Sequence, residues 1–473
     1  MHVDKLTAGQ ARPTVIRIEK ENLMTLRFLT SWLCGLVLLL GSSGSLSAAS
    51  PNFVIIMTDD LGASQLSCYG NQEIQTPQLD RLAEQGMRFR TCYATPNCSV
   101  TRMMLMTGRY GFRTGWYNFL EREYAPQPGS LQFDIGRSEI TFADLVKQRG
   151  YATGIAGKWQ LPGTPENRIY DCGFDDYCMW MWKHQLPQSD CGSGKGKNAY
   201  DPLQSLHAFK KSNRYWDPAV MVNKKKLPTK PDEFGPEIFA NYVCDYISRH
   251  RQHPFLVYYS MVMIHKHNKT LPGVPDIHHP GQQTSPGSVK LNVEYVDHLV
   301  GRIMQAVADA GVAENTYVIF TGDNGPAKQG KGEVTEKGAR VPLIVRGPGI
   351  KAGAVSDELA SLADVFPTVA ELAKAKLPGD RKIDGISLVP VLLDRPGERR
   401  EWLFSYLADQ RMLRSKRWLL EGDGQFYDCG DQRDGMNYKK VTDSQDAEVR
   451  AAREKFERIL KDLPAPPPLK KES

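Results

Sequence analysis

Between residues 50 and 375, short apolar runs alternate with amphipathic stretches, and this most constrains the fold. "NFVIIMTDD" is an apolar strand that ends in acids. "TPQLDRLAEQG" reads as a helix with Thr76 at the N-cap, Pro77 in the first turn and Gly86 as its stop. "YATGIAGKW" reads as a second strand, and "HPFLVYYSMVMIH" as a long buried run ending at His265. In "NVEYVDHLVGRIMQAVADAG", Val296, Val300, Ile303, Met304 and Val307 fall on one helical face. Gly311 stands in the C-cap region, and strand "TYVIFTGDNG" follows. This order predicts an α/β fold with a mostly parallel, doubly wound sheet. After "DGISLVPVLL" the pattern changes. "EWLFSYL", "RMLRSKRWLLEG" and "QFYDC" predict a small C-terminal antiparallel sheet, "DAEVRAAREKFERILKDL" a helix, and "PAPPPLKKES" a disordered tail. Residues 165–290 are rich in Gly, Pro and Trp and read as an insertion decorating one rim of the sheet.

The N-terminus reads as a targeting segment. In "MTLRFLTSWLCGLVLLLGSSGSLSAAS", Arg27 precedes an apolar run from Phe28 to Leu40, and small residues follow. That pattern predicts a signal peptide cleaved near Ala48, with Met24 as the true start and residues 1–48 as the leader. The apolar run is short for a spanning helix, and bulky Leu33 before Cys34 argues against a lipid anchor. The expectation is a secreted or periplasmic protein without a stable membrane anchor. The net charge of +6 slightly favours anionic ligands, but no Lys/Arg run is dense enough to predict nucleic-acid binding. Of nine cysteines, Cys34 leaves with the leader. An oxidising compartment permits disulfides, and Cys172, Cys178 and Cys191 cluster, but pairing is not readable from spacing.

Four of the apolar strands end in reactive groups: Asp59-Asp60, Lys158, His265 and Asp323-Asn324. Open α/β sheets bind ligands beyond the carboxyl ends of their strands, so these residues are expected to converge on one rim. The two acidic pairs offer hard oxygen ligands suited to Ca²⁺ or Mg²⁺. Alternatively, each pair caps a turn. "CSVTRMMLMTGR" places Cys98 at or near the start of a helix, with Arg102 one turn on and on the same side. A nucleophile, an arginine and a helix N-terminus suit a tetrahedral oxyanion; a small buried cysteine at a packed helix start is the competing reading.

At these residues the chain resembles the type I sulfatases of the alkaline phosphatase superfamily. "CSVTRMMLMTGR" resembles their signature, and "FVIIMTDDLG", "GIAGKW", "FTGDNG", "GKGEVTEKGARVP" and "DGISLVPVLL" resemble further blocks in the same order. The resemblance implies an alkaline phosphatase-like fold, with a catalytic domain over 49–395 and a C-terminal subdomain over 396–473. It implies that Cys98 is oxidised to formylglycine by a maturation enzyme. The hydrated aldehyde would attack sulfur with one hydroxyl and expel sulfate with the other. It implies Asp59, Asp60, Asp323, Asn324 and residue 98 as ligands of a divalent cation, usually Ca²⁺ and less often Mg²⁺. Arg102 would stabilise residue 98, Lys158 and Lys331 would neutralise the sulfuryl group, and His265 would assist the leaving group. The implied activity is hydrolysis of a sulfate ester, on a carbohydrate above all.

Two positions depart from the family pattern. Val100 stands where the maturation signal has proline, which bears on recognition by the maturation enzyme more than on local structure. Gln160 stands where the family commonly has histidine; it hydrogen-bonds but carries no proton, which weakens general-base help by about a hundredfold or more. His184 and His207 are candidate substitutes. "MWMW" (179–182), Tyr215 and Trp216 either stack on sugar rings or pack the core. Asp323, on a rim loop, is expected to matter for chemistry more than for packing. A phosphodiesterase or phosphonate monoester hydrolase on the same scaffold, and a non-catalytic sulfoglycan-binding protein, are the competing readings.

Overall fold

The computed structural model describes residues 50–119, 131, 134–161, 169–181, 213–266, 270–279, 281–435 and 437–466. The leader, Cys34, Trp182, His184, Cys191, His207 and the end of the tail lie outside the described residues. Ten strands form one sheet. They are β1 (Asn52–Thr58), β2 (Met87–Tyr93), β3 (Ala152–Gly157), β4 (Asp176–Trp180), β5 (Val220–Val222), β6 (Lys225–Leu227), β7 (Phe255–Ser260), β8 (Thr316–Gly322), β9 (Leu343–Arg346) and β10 (Ala354–Ser361). Their order is β10-β2-β9-β8-β1-β7-β3-β4-β5-β6. The central β8-β1-β7-β3 pairings are all parallel, while β9 and β5 run against their neighbours. The expected mostly parallel, doubly wound α/β sheet is therefore present.

β1 is buried at every position because both faces of the sheet are covered. Phe53, Ile55 and Met57 enter one hydrophobic cluster, and Val54 and Ile56 the other. The first face is covered by α2 (Cys98–Thr107), α3 (Phe142–Lys147) and α6 (Val365–Leu372). The second is covered by α1 (Pro77–Glu84), α4 (Gly235–His250) and α5 (Val289–Asp309), the last through Val296, Val300, Ile303 and Val307. The five-stranded antiparallel sheet, β11 (Leu403–Leu407) to β15 (Lys439–Lys440), has the predicted place, with α7 (Ala447–Asp462) after it.

Helix α1 forms where predicted, but its ends work differently. Thr76 occupies the N-cap position without capping; its hydroxyl bonds Ser67 instead. Asp297 of α5 caps α1 from outside, accepting from the Gln78 and Leu79 N–H groups at 3.1 and 2.8 Å. Gly86 is needed for close approach, not as a left-handed stop, because a Cβ there would lie 2.3 Å from the Val345 carbonyl oxygen. Burial pushes the Asp297 carboxyl up to about 6. A raised acid pKa stabilises the fold below the unfolded carboxylate range, and that contribution is lost as pH rises through about 6. Asp297→Ala should therefore lower unfolding free energy by about 1–3 kcal/mol in urea melts, with a larger deficit at pH 4 than at pH 8.

Candidate active site

The carboxyl ends of β8, β1, β7 and β3 lie side by side, and each delivers part of one cluster. Asp59 and Asp60 follow β1 directly, Asp323 and Asn324 follow β8, and Lys158 follows β3. Gly157 makes the last placement possible. It takes a left-handed φ of 101°, and a Cβ there would sit 2.0 Å from the Ser260 carbonyl oxygen, which accepts the Lys158 N–H. His265 comes five residues after β7, not at its end. It is carried there because Met261 N–H and Ile264 N–H bond the Met57 and Asp59 carbonyls, prolonging the link to β1.

Cys98 is the first residue of α2, and every residue of that helix is buried. Asn97 caps it, accepting from the Val100 N–H at 3.2 Å. Proline at position 100 has no N–H to give this bond, so the valine departure strengthens the local cap. Gly108 ends the helix at φ 69°. Asp384, in the "DGISLVPVLL" block, holds the chain beyond it by accepting from the Tyr110 N–H and from Arg113 Nε.

Each buried carboxylate faces a cation. Arg102 lies 2.7 Å from Asp323, and its guanidinium also donates to the Ser260 hydroxyl. Lys158 Nζ lies 2.6 Å from Asp59 Oδ2, and Lys331 Nζ donates to Asp60. Asn324 Nδ2 donates to Asp60 Oδ1 at 2.9 Å, and the Asp60 N–H donates to Asp323 Oδ1 at 3.0 Å. Asp60 holds a left-handed φ of 64°, uncommon for a residue with a side chain. Ligand atoms of Asp59, Cys98 and Asp323 lie within 4.8 Å of one another, as do those of Asp59, Asp60 and His265.

Burial opposes every charge here, and the partners outweigh it at Asp59 and Asp60 but not at Asp323 or His265. Burial disfavours the Asp59 carboxylate, yet Lys158 and the other cations hold it well below the usual range. Asp60 is lowered despite burial, chiefly by Lys331. Burial and the charge of Asp59 push Asp323 up to about 6. Burial, reinforced by Lys331, pulls the His265 imidazole down to about 3. Its Nδ1 lies 2.7 Å from the Lys266 carbonyl, which can only accept, so the neutral ring carries its proton there and leaves Nε2 as a lone pair.

Asp59 Oδ1 and Asn324 Oδ1 are buried and accept no hydrogen bond among the described residues. Two orphaned hard oxygens beside three carboxylates fit a divalent cation of the Ca²⁺ or Mg²⁺ kind. A thiol suits such a cation poorly, whereas an oxygen at position 98 suits it.

Among the described residues, all the sequence-predicted catalytic and metal-ligating residues are drawn into this network by hydrogen bonds, ion pairs or ligand-atom proximity; Gln160 is not. Gln160 follows Lys158 by two residues at φ 47°, and its Oε1 is buried without a partner among the described residues. Asp323, expected on a rim loop, is fully buried and ion-paired, so its side chain serves packing as well as the site. The described aromatic residues of the insertion pack the core. Trp180 is buried in β4, the Tyr215 hydroxyl donates to the His265 carbonyl, and Trp216 bonds Gly273. Among the described residues, Cys68, Cys92, Cys98, Cys178, Cys244 and Cys429 are free thiols; Cys172 and Cys178 belong to different hydrophobic clusters. Sequence reasoning missed Arg214, which lies 3.8 Å from Asp59 Oδ2 and 4.1 Å over the Trp180 ring. It stands in the insertion with no motif around it. Ser260, which anchors Arg102, was equally unmarked.

This fold and site define a hydrolase of the alkaline phosphatase superfamily. Residues 51–375 match the sulfatase family model, and the chain belongs to the sulfatase family. It is a sulfuric ester hydrolase. It is 33% identical to bovine arylsulfatase A, covering 78% of this chain and 72% of that protein. It is 31% identical to mouse steryl-sulfatase, covering 78% and 69% of the two chains. It is 31% identical to human N-acetylgalactosamine-6-sulfatase, covering 79% and 71%. Among solved structures, the PsFucS1 sulfatase from Pseudoalteromonas sp. matches with a TM-score of 0.67 at 20% identity, over 94% of this chain and 95% of that one. Ps i-CgsB in complex with k-i-k-neocarrahexaose matches with a TM-score of 0.66 at 22% identity, over 87% and 92%. Among the described residues, no helix is long and apolar enough to cross a membrane.

Proposed function

We propose that this protein hydrolyses sulfate esters of carbohydrates, using formylglycine made from Cys98 and a divalent cation, Ca²⁺ before Mg²⁺. The observation behind this reading is the pair of orphaned oxygens, Asp59 Oδ1 and Asn324 Oδ1, beside Cys98 and three buried carboxylates. Asp59, Asp60, Asp323 and Asn324 would hold the cation together with residue 98. When present, the hydrated formylglycine supplies the nucleophilic oxygen and the cation supplies polarisation of the sulfate.

This chain's own residues do the rest. Arg102 fixes Asp323 and the start of α2, so residue 98 keeps its orientation. Lys158 and Lys331 turn to the sulfuryl oxygens as negative charge builds on them. His265, held by its Nδ1 contact, would present Nε2 as a hydrogen-bond acceptor, and would help the leaving oxygen only with the ring protonated there. Gln160 offers a hydrogen bond but no proton, which keeps turnover modest. The reading includes export behind the leader 1–48, maturation by a formylglycine-generating enzyme, a catalytic domain over 49–395 and a C-terminal subdomain over 396–473.

Sulfate release from sulfated mono- and oligosaccharides tests the activity. Chelation should remove more than nine-tenths of it, and Ca²⁺ should restore it more fully than Mg²⁺. Full activity in chelator would overturn the cation.

A further inference from the structure

Among the described residues, the side chains of the active-site cluster comprise three carboxylates and four cations. Asp323 pairs with Arg102, Asp59 with Lys158 and Asp60 with Lys331. Arg214 is a fourth cation without a carboxylate of its own. Its nearest anionic atom, Asp59 Oδ2 at 3.8 Å, already takes Lys158 at 2.6 Å. The Arg214 side chain is 12% exposed, and its Nε and one terminal nitrogen are buried without a hydrogen-bond partner among the described residues. A desolvated guanidinium with idle donors is costly unless an anion arrives to take them.

The arginine is also held in place. Its guanidinium carbon lies over the Trp180 ring, 4.1 Å from the ring centre. The next residue, Tyr215, is fully buried, with its N–H on Asn213 Oδ1 and its carbonyl on the Gly235 N–H. The preceding Asn213 carbonyl accepts from the Ala219 N–H, and backbone anchoring on both sides with the ring beneath leaves little freedom to lose on binding.

We propose that Arg214 is a specificity-determining residue that binds a second anionic group on the substrate, a sulfate or carboxylate beside the sulfate that is cleaved. The substrate class is then a multiply charged sulfated sugar. This rests on the sulfatase reading above. Arg214 presents a forked pair of donors, and both oxyanions accept such a pair.

Steady-state sulfate release by the full chain tests it, for wild type, Arg214→Gln and Arg214→Lys. The probes are sulfated sugars matched in skeleton: monosulfated, disulfated, and monosulfated with a neighbouring uronate. Wild type should prefer a doubly anionic sugar to its monosulfated match at least tenfold in kcat/KM. Arg214→Gln should lose ten- to a hundredfold on that sugar, mainly through KM, with a loss at least fivefold smaller on the monosulfated one. Arg214→Lys should recover part of the loss. The disulfated and uronate arms identify the second anion. Equal losses on singly and doubly charged sugars would place Arg214 on the cleaved sulfate and overturn the proposal, while leaving the sulfatase reading intact. If wild type cleaves none of the probes, the carbohydrate-sulfatase reading fails, and equilibrium binding of a disulfated hexosamine decides Arg214. Tenfold weaker binding by Arg214→Gln supports the proposal, and unchanged binding overturns it.

Discussion

Alanine in place of Cys98 should reduce sulfate release by at least about a thousandfold, because the nucleophile and one cation ligand go together. The fold should survive. Cys98 is a small buried residue at the first position of α2, and the cap is made by Asn97, not by the cysteine. Loss of one sulfur from a packed site costs about 1 kcal/mol, a small part of domain stability. Unchanged thermal unfolding with lost activity separates chemistry from folding. Activity within tenfold of wild type would remove residue 98 from the reaction.

The second large effect is at Asp323. Asp323→Asn should lower sulfate release by about a hundredfold or more, with partial recovery at high Ca²⁺, since one carboxylate charge leaves the cation site. Asp323→Ala should be worse in two ways. It strands the fully buried Arg102 guanidinium without its 2.7 Å partner and leaves the Asp60 N–H without an acceptor. Breaking a buried pair costs roughly 3–5 kcal/mol, so this variant should unfold at clearly lower urea. Asn retains an oxygen for the Asp60 N–H, and its urea midpoint should lie between the two. An Asp323→Ala enzyme with normal stability and turnover would overturn both roles.

Much of this was legible in the sequence because parallel strands announce themselves twice. Their apolar runs are continuous, as in β1, where alternate residues feed opposite clusters, and their carboxyl ends share one rim. Asp59, Lys158 and Asp323 each follow their strand directly, so reading the strand ends found them. His265 was found at the end of an apolar run that outlasts its strand, which blurred where the strand stops. What stayed hidden depends on contacts between distant segments. Asp297 caps a helix that begins 220 positions earlier, and nothing near Thr76 signals that its hydroxyl is spent on Ser67. Burial of Asp323 is also a tertiary fact, since a "GDNG" loop reads as exposed on its own. Arg214 is the extreme case: a single arginine in an irregular insertion, given meaning only by Trp180 beneath it and Asp59 beside it.

The most direct measurement is mass spectrometry of the peptide containing residue 98, taken from protein made in its native host and assayed in parallel for sulfate release. The account predicts an aldehyde mass at position 98 in active protein, with sulfate release rising in proportion to the converted fraction. Unmodified cysteine throughout a preparation that still releases sulfate would contradict it.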